Sequence, residues 1–441
     1  MKKVLIITYD MIPCTSSWGA CQRMYYFAEY LYEKEYDVDI FSCKKNIVDD
    51  YGNPIHFRNH QIEVENKFLS HFINSRVRGE KANEDLKEEK TLELFAKARR
   101  FIKNNTLLMK GIVTIDKFLY NEPTTLGGAI SSAWVSENIE KIIIYIKRNN
   151  INVVIISVPA FGMLSAGKLI KQAFGNRVKL IYDYRDPWNL WKNVGRYCFT
   201  REKRALSFAD EIVCTTESLC KDMSVAFKIK GNRFHTISNG YSNKKWKEFE
   251  GYLRKETKTF TISYVGQIEL IYQGIRNIQN VIEAYRRLGK NNTLLRIVGV
   301  NDVTLENVAR LKEEFGERIE ILSPVDAKIS YQYMLESDVL LLLHTTDDDS
   351  GKYIVSGKFY DYAKAGKCIL SVDNGKGNHT ELINKYGLGK SVRNETKSIF
   401  KALSVLYKEW QSGEIKKYSN CDETFSREYQ YKHFEELLSP K

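Results

Sequence analysis

Short apolar runs recur through the first half of the chain, with helical stretches between them: Val4–Thr8, Val38–Ser42, Val153–Val158, Lys179–Tyr184 and Glu211–Thr216. Most are rich in Val and Ile and lack strict alternation. That is the pattern of strands buried on both faces, as in a parallel sheet covered by helices. Lys141–Lys147 differs, because it continues the periodicity that starts at Trp134, and it reads as the end of a helix.

A second series follows at Thr259–Gly266, Leu294–Gly299, Arg318–Pro324, Val339–Thr345 and Cys368–Asp373, with helical patterns such as Ile275–Leu288 and Val303–Phe315 between them. Two successive β/α series predict an α/β protein of two doubly wound, Rossmann-like domains. The polar stretch Asn243–Arg254 marks the expected join. It gives a first domain over 1–247 and a second over 255–423, with a C-terminal helix over 424–441 packing back on the first. The rhythm breaks between Asn66 and Lys117, where Phe68, Phe72, Leu92 and Phe101 mingle with Arg99, Arg100 and Lys103. A helical insertion at about 66–126 is expected there, either a solvated face on the sheet or an element for an anionic surface.

A length of 441 residues suits two domains, since single cores stop growing at about 250–300 residues. The apolar run at the start is too short for a secretory leader and reads as a buried first strand. No stretch approaches the roughly 20 apolar residues of a membrane span. The eight cysteines form no C-x-x-C pair, which fits reduced thiols in the cytoplasm better than zinc or a disulfide framework. A formal charge of +12 suits a phosphorylated ligand, an anionic membrane or nucleic acid. No basic–aromatic repeat supports nucleic acid.

In open α/β sheets, ligands bind beyond the carboxyl ends of the strands. The first such loop holds Trp18 and Gly19, with Arg23 one turn on; a Gly at a helix start admits an anion to backbone N–H groups. After Lys179–Tyr182 come Asp183, Arg185, Asp186, Pro187 and Trp188. They form either a site or a structural ion pair beside a core indole. In the second half Gly266 ends a predicted strand, and Arg276 falls in the first turn of the next predicted helix. Ser356, Gly357 and Lys358 then open a helix, with Asp361 three residues on and close to the same face. Backbone N–H groups and an amine there suit phosphate, and a carboxylate suits ribose hydroxyls. The same residues also make an ordinary helix start.

In this order, the loop Trp18–Ala20 with Arg23, Ser157–Pro159, Asp183–Trp188, Ser238–Tyr241, Tyr264–Gly266 and Lys358–Lys367 resemble the GT4-type retaining glycosyltransferases of bacterial surface polysaccharide synthesis. The resemblance implies a GT-B fold, two facing Rossmann-like domains with the site in the cleft. It implies transfer from a UDP- or GDP-sugar to a glycan or lipid-linked acceptor, with no cofactor and no metal. Gly19, Gly266, Arg276, Ser356, Gly357 and Lys358 would surround the donor diphosphate, and Asp361 would take the ribose. Asp183, Arg185 and Asp186 would be catalytic, with Trp18, Arg23 and Trp188 on the acceptor side. The chain departs from the family pattern at three points. Tyr353 stands where the first of two glutamates is expected, Gln267 and Ile268 replace a basic pair, and Pro159-Ala160-Phe161 lacks a histidine. A non-catalytic nucleotide-sugar-binding or scaffold protein, and less so an epimerase, are the alternatives. The expected location is cytoplasmic, with peripheral contact at the inner face of the membrane.

Overall fold

A computed structural model of the chain describes residues 2–15, 18–45, 49–50, 52–65, 114, 127–190, 196–252, 258–270, 276–344, 349–419 and 421–439. The expected insertion at about 66–126 lies, but for residue 114, outside the described residues.

The chain divides into two compact units, Met1–Ile237 with Tyr431–Lys441, and Ser238–Gln430. In the first, seven parallel strands pair in the order β3-β2-β1-β4-β5-β6-β7. They are β1 (Lys3–Thr8), β2 (Asp37–Cys43), β3 (Arg58–Ile62), β4 (Val153–Val158), β5 (Lys179–Tyr184), β6 (Glu211–Cys214) and β7 (Phe234–Thr236). Helix α1 (Trp18–Glu33) follows β1, and α2 (Gly127–Asn149) precedes β4. The stretch Lys141–Lys147 does close a helix. Helices α3 (Leu164–Phe174), α4 (Arg196–Phe208) and α5 (Glu217–Phe227) complete the unit.

The second unit starts with a short helix, α6 (Asn243–Lys247), and has a six-stranded parallel sheet in the order β10-β9-β8-β11-β12-β13. Its strands are β8 (Phe260–Ile268), β9 (Thr293–Val300), β10 (Ile319–Leu322), β11 (Val339–Leu343), β12 (Cys368–Asp373) and β13 (Gly389–Arg393). Its helices are α7 (Gln279–Leu288), α8 (Glu306–Phe315), α9 (Ala327–Leu335), α10 (Gly357–Ala365), α11 (Asn378–Tyr386) and α12 (Thr396–Gln411). The last helix, α13 (Arg427–Glu436), carries the chain back into the first unit.

Burial on both faces is explicit in β11. Val339, Leu341 and Leu343 enter one core cluster, whereas Leu340 and Leu342 enter another with Val265, Phe359 and Tyr362. The tail joins the first core: Phe434 stacks on Phe27 at 4.3 Å, and Tyr431 and Leu438 are buried beside it. The division falls at Ile237/Ser238, before the polar stretch expected to join the domains. Trp246, within that stretch, is 4% exposed and packed in the second core.

Strand order runs outward in both directions from β1 in one sheet and from β8 in the other. The switch points therefore lie at β1/β4 and β8/β11, where loops diverge and leave room for a ligand.

Candidate functional site

In the first unit the register sets Ser157 on β4 beside Asp183 on β5. The Ser157 hydroxyl donates to Asp183 Oδ2 at 2.8 Å. Arg23, on the inner face of α1, donates to Asp183 Oδ1 from Nε at 3.0 Å and from Nη2 at 2.9 Å. It also bonds the Ile237 carbonyl at 2.8 Å. Arg23 is 4% exposed and Asp183 fully buried, so the pair is held inside the fold. The two residues thus serve each other and the alignment of the central strands, whereas the resemblance implied a catalytic Asp183 and an acceptor-side Arg23.

Arg185 is likewise engaged. Its guanidinium donates to the carbonyls of Ala20, Pro159 and Val158, tying the first turn of α1 to the ends of β4 and β5. Trp188, which the resemblance put on the acceptor side, is 2% exposed and stacks parallel on Phe161 at 5.2 Å. Phe161, in the segment where the family resemblance expects a histidine, is that indole's partner.

Asp186 stands apart. It is half-buried just beyond β5, and its carboxylate accepts no hydrogen bond from the described residues. Burial raises its pKa, with the Arg185 charge opposing. A carboxylate so placed is a ready acceptor for a hydroxyl proton. Its loop is anchored by Glu202 on α4, a residue that sequence reasoning missed. Glu202 accepts from the Asn189 backbone N–H at 3.1 Å and side-chain amide at 2.7 Å, and burial pushes it up to about 7. Nearby, Gly19 is exposed and Trp18 half-exposed in the first turn of α1, the indole packed on Tyr25 and Tyr26. Gly19 belongs to the first unit, whereas the other residues expected around the donor lie in the second.

Those others converge at the β8/β11 switch. Two residues before the end of β8, where its pairing with β9 is irregular, Gly266 stands at φ +138°, a conformation suited to glycine. The Lys358 side chain, from the first turn of α10, lies across it: a Cβ on Gly266 would fall 2.7 Å from Nζ and overlap Cε. Gly299 on β9 makes room behind, since a Cβ there would meet the Gly266 carbonyl carbon at 2.6 Å. Lys358 Nζ lies 5.4 Å from the Tyr264 ring centre and has no hydrogen-bond partner among the described residues. Burial, with the Arg276 charge, pushes it down to about 7.

Arg276 sits in the loop before α7, three residues short of the helix where it was expected, and donates to the Gln267 carbonyl at 3.0 Å. Lys358 and Arg276 thus both lie beside the Gly266–Gln267 segment in space.

Ser356 is the N-cap of α10, but its side chain makes no cap hydrogen bond, which leaves the first-turn N–H groups of Gly357 and Lys358 uncapped by it. Asp361, one turn on, accepts from Trp246 Nε1 at 3.2 Å. Burial raises its pKa, while Arg427, the Trp246 bond, Lys245 and Lys358 oppose the rise. Tyr353 is 8% exposed. Trp246 and Gly299 gave no signal in sequence, because each acts through a neighbour distant in the chain.

No protein-family model and no curated protein matches the chain. Solved structures do. A glycosyltransferase from Rickettsia africae shares 13% identity at a TM-score of 0.60, over 99% of this chain and 98% of its own. Anabaena HepE, solved with UDP and glucose, shares 10% at 0.59, over 99% of each. The catalytic domain of starch synthase IV from Arabidopsis thaliana, bound to ADP and acarbose, shares 10% at 0.59, over 99% and 98%. Identities this low speak for architecture: with its two doubly wound parallel α/β units, the chain has the GT-B fold.

Proposed function

We propose that the chain is a glycosyltransferase that moves a sugar from a nucleoside-diphosphate donor to a hydroxyl of a glycan or lipid-linked acceptor, with retention, like the GT4-type enzymes it resembles. The observation that carries this reading is the Lys358 amine, which lies over Gly266 with no hydrogen-bond partner among the described residues, beside the first-turn N–H groups of α10 that the Ser356 side chain does not cap. An anion fits there, and a diphosphate leaving group needs it most as its charge develops. Lys358, Arg276 and the N–H groups of Gly357 and Lys358 hold the diphosphate, and the free oxygen of Asp361 takes a ribose hydroxyl.

In the reaction the bond from C1 to the phosphate oxygen breaks and a bond from C1 to the acceptor oxygen forms. The acceptor proton passes to the Asp186 carboxylate, and the diphosphate leaves as an anion. Asp186 of the first unit orients the acceptor hydroxyl by accepting its hydrogen bond. Two fixed cations supply the charge that a divalent ion would otherwise bring, so turnover proceeds in EDTA. UDP-, GDP- and ADP-sugars presented with radiolabelled sugar to lipid and glycan acceptors test the activity. Asp361→Ala should weaken ribonucleoside diphosphates and leave their 2′,3′-dideoxy analogues unchanged. No transfer with any donor would defeat the reading.

A second reading rests on Tyr353, buried where the family resemblance expects a glutamate. It gives a protein that binds nucleotide sugar without turning it over. Tight donor binding with neither transfer nor hydrolysis would favour it. Work at the inner face of the membrane is part of the proposal, on the strength of the basic, Phe- and Leu-bearing sequence between Asn66 and Lys117. Among the described residues no helix is long and apolar enough to cross a membrane.

A further inference from the structure

Three consecutive residues after β12 hold the segment that leads into α10. Gly377, at φ +115°, packs against Gly351; a Cβ there would fall 2.7 Å from the Gly351 carbonyl carbon and overlap its oxygen. The Asn378 side-chain amide donates to the Lys352 carbonyl at 2.7 Å. His379 Nε2 accepts the backbone N–H of Ser356 at 2.9 Å. As an acceptor, Nε2 carries no proton, so the ring is neutral with its proton on Nδ1. The environment suits that form: His379 is 2% exposed, the His344 ring lies 5.9 Å away, and the Phe359 ring 6.2 Å away.

The Ser356 N–H is the cap amide of α10. In many helices a side chain of the same helix reaches back to that group. Here the acceptor comes from a different helix. The bond fixes the plane of the Val355–Ser356 peptide, which leads directly into Gly357 and Lys358, whose N–H groups and amine form the anion site. A rotation of that peptide would turn the donors away, and positional errors of this kind are costly where groups must converge on one ligand.

We infer that His379 is a positioning residue for the donor diphosphate, acting as a neutral imidazole that locks the Ser356 peptide so that the α10 N-terminus and Lys358 face the phosphates. The inference rests on the nucleotide-sugar reading above. It separates His379 from residues that merely fill the core, because only the hydrogen-bond acceptor at Nε2 matters to the ligand.

The test compares His379→Gln, whose amide oxygen reaches the Nε2 position, with His379→Leu, of similar size and no acceptor. Binding of UDP, GDP and ADP, and of uridine, guanosine and adenosine, is measured by calorimetry. For the best diphosphate His379→Leu should lose about tenfold, the size of one lost hydrogen bond. His379→Gln should bind within about twofold of wild type, and nucleoside binding should be unchanged in both. If His379→Leu does not fold, His379→Asn, whose amide stops one bond short, takes its place. Equal loss in the Gln and Leu variants, no loss in either, or a parallel loss for the nucleoside would overturn the inference. A wild type that binds none of the diphosphates would overturn the underlying reading as well.

Discussion

The amine of Lys358 lies in the space that a side chain on Gly266 would need. A glycine at the irregular stretch near the end of β8 and a lysine at the start of α10, 92 positions later, therefore form one device. The glycine lets the lysine stem cross the strand end, and the buried stem holds the amine. Two substitutions should then have one effect. Lys358→Met removes a charge-assisted bond of about 1.5–3 kcal/mol, roughly ten- to hundredfold in donor affinity. Gly266→Ala should match it by pushing the lysine aside, and it adds strain at φ +138°. The double variant should be little worse than Lys358→Met alone. Full additivity in a double-mutant cycle on donor binding would show that the two residues act separately.

A pH dependence follows from the same amine. Burial, reinforced by Arg276, lowers Lys358 to about 7, so the free protein loses this charge as pH rises through neutrality. A bound diphosphate favours the charged form and raises the pKa again, so binding takes up a proton above pH 7. The affinity for a nucleotide sugar should hold steady below pH 7 and fall by up to about tenfold per pH unit above it. A nucleotide sugar is the right probe, since its diester phosphates do not titrate in this range. Calorimetry in buffers of different ionisation enthalpy counts the proton directly. An affinity flat from pH 6.5 to 8.5 would place the amine away from the phosphates.

The strands buried on both faces were legible because Val153–Val158 and Val339–Leu343 carry the Val, Ile and Leu runs that such burial demands. Strand β3, Arg-Asn-His-Gln-Ile, was not, because it is a half-exposed edge whose polar side chains bond back to Asp39 on β2 and to the Met11 and Ile12 carbonyls instead of filling a core. In the site, Gly266, Lys358 and Asp361 stood out as residue types at strand ends and helix starts. Whether Asp183 or Asp186 is available for chemistry could not be read from adjacent positions on one loop. The difference lies in partners far away in sequence, Arg23 and Ser157, which occupy one carboxylate and leave the other open. His379 was illegible for the same reason: its one informative contact is with a backbone N–H 23 positions away.

Asp183 and Asp186 should accordingly separate by experiment. Asp183→Ala leaves the Arg23 guanidinium buried without its counter-charge, a loss of about 3–5 kcal/mol in stability. Asp186→Asn removes a carboxylate that makes no hydrogen bond among the described residues. It should leave the unfolding midpoint in urea unchanged while turnover falls roughly hundredfold or more. Urea unfolding alongside steady-state kinetics checks both. Loss of stability at Asp186, or a stable and inactive Asp183→Ala protein, would reverse the assignment.

His379 should leave its own mark on stability. Burial, with the His344 ring beside it, pushes its pKa down to about 3, while in the unfolded chain a histidine titrates near 6.5. Above pH 6.5 neither state is protonated there, and the full stability is present. Below it the unfolded chain takes up a proton that the folded chain refuses, so stability falls steadily towards pH 3. By pH 5 the loss from this one group is about 2 kcal/mol. Other buried groups pull the opposite way: Glu202, raised to about 7, holds a proton in the folded state that the unfolded chain has released. A total stability curve would mix the two. The difference between wild type and His379→Gln cancels Glu202 and every other common term, because glutamine does not titrate. That difference should move by about 2 kcal/mol in favour of the variant between pH 7.5 and pH 5, read from urea midpoints at each pH. A constant difference would mean that the folded protein protonates His379 as readily as the unfolded chain does. The Ser356 N–H would then have lost its acceptor well above pH 3.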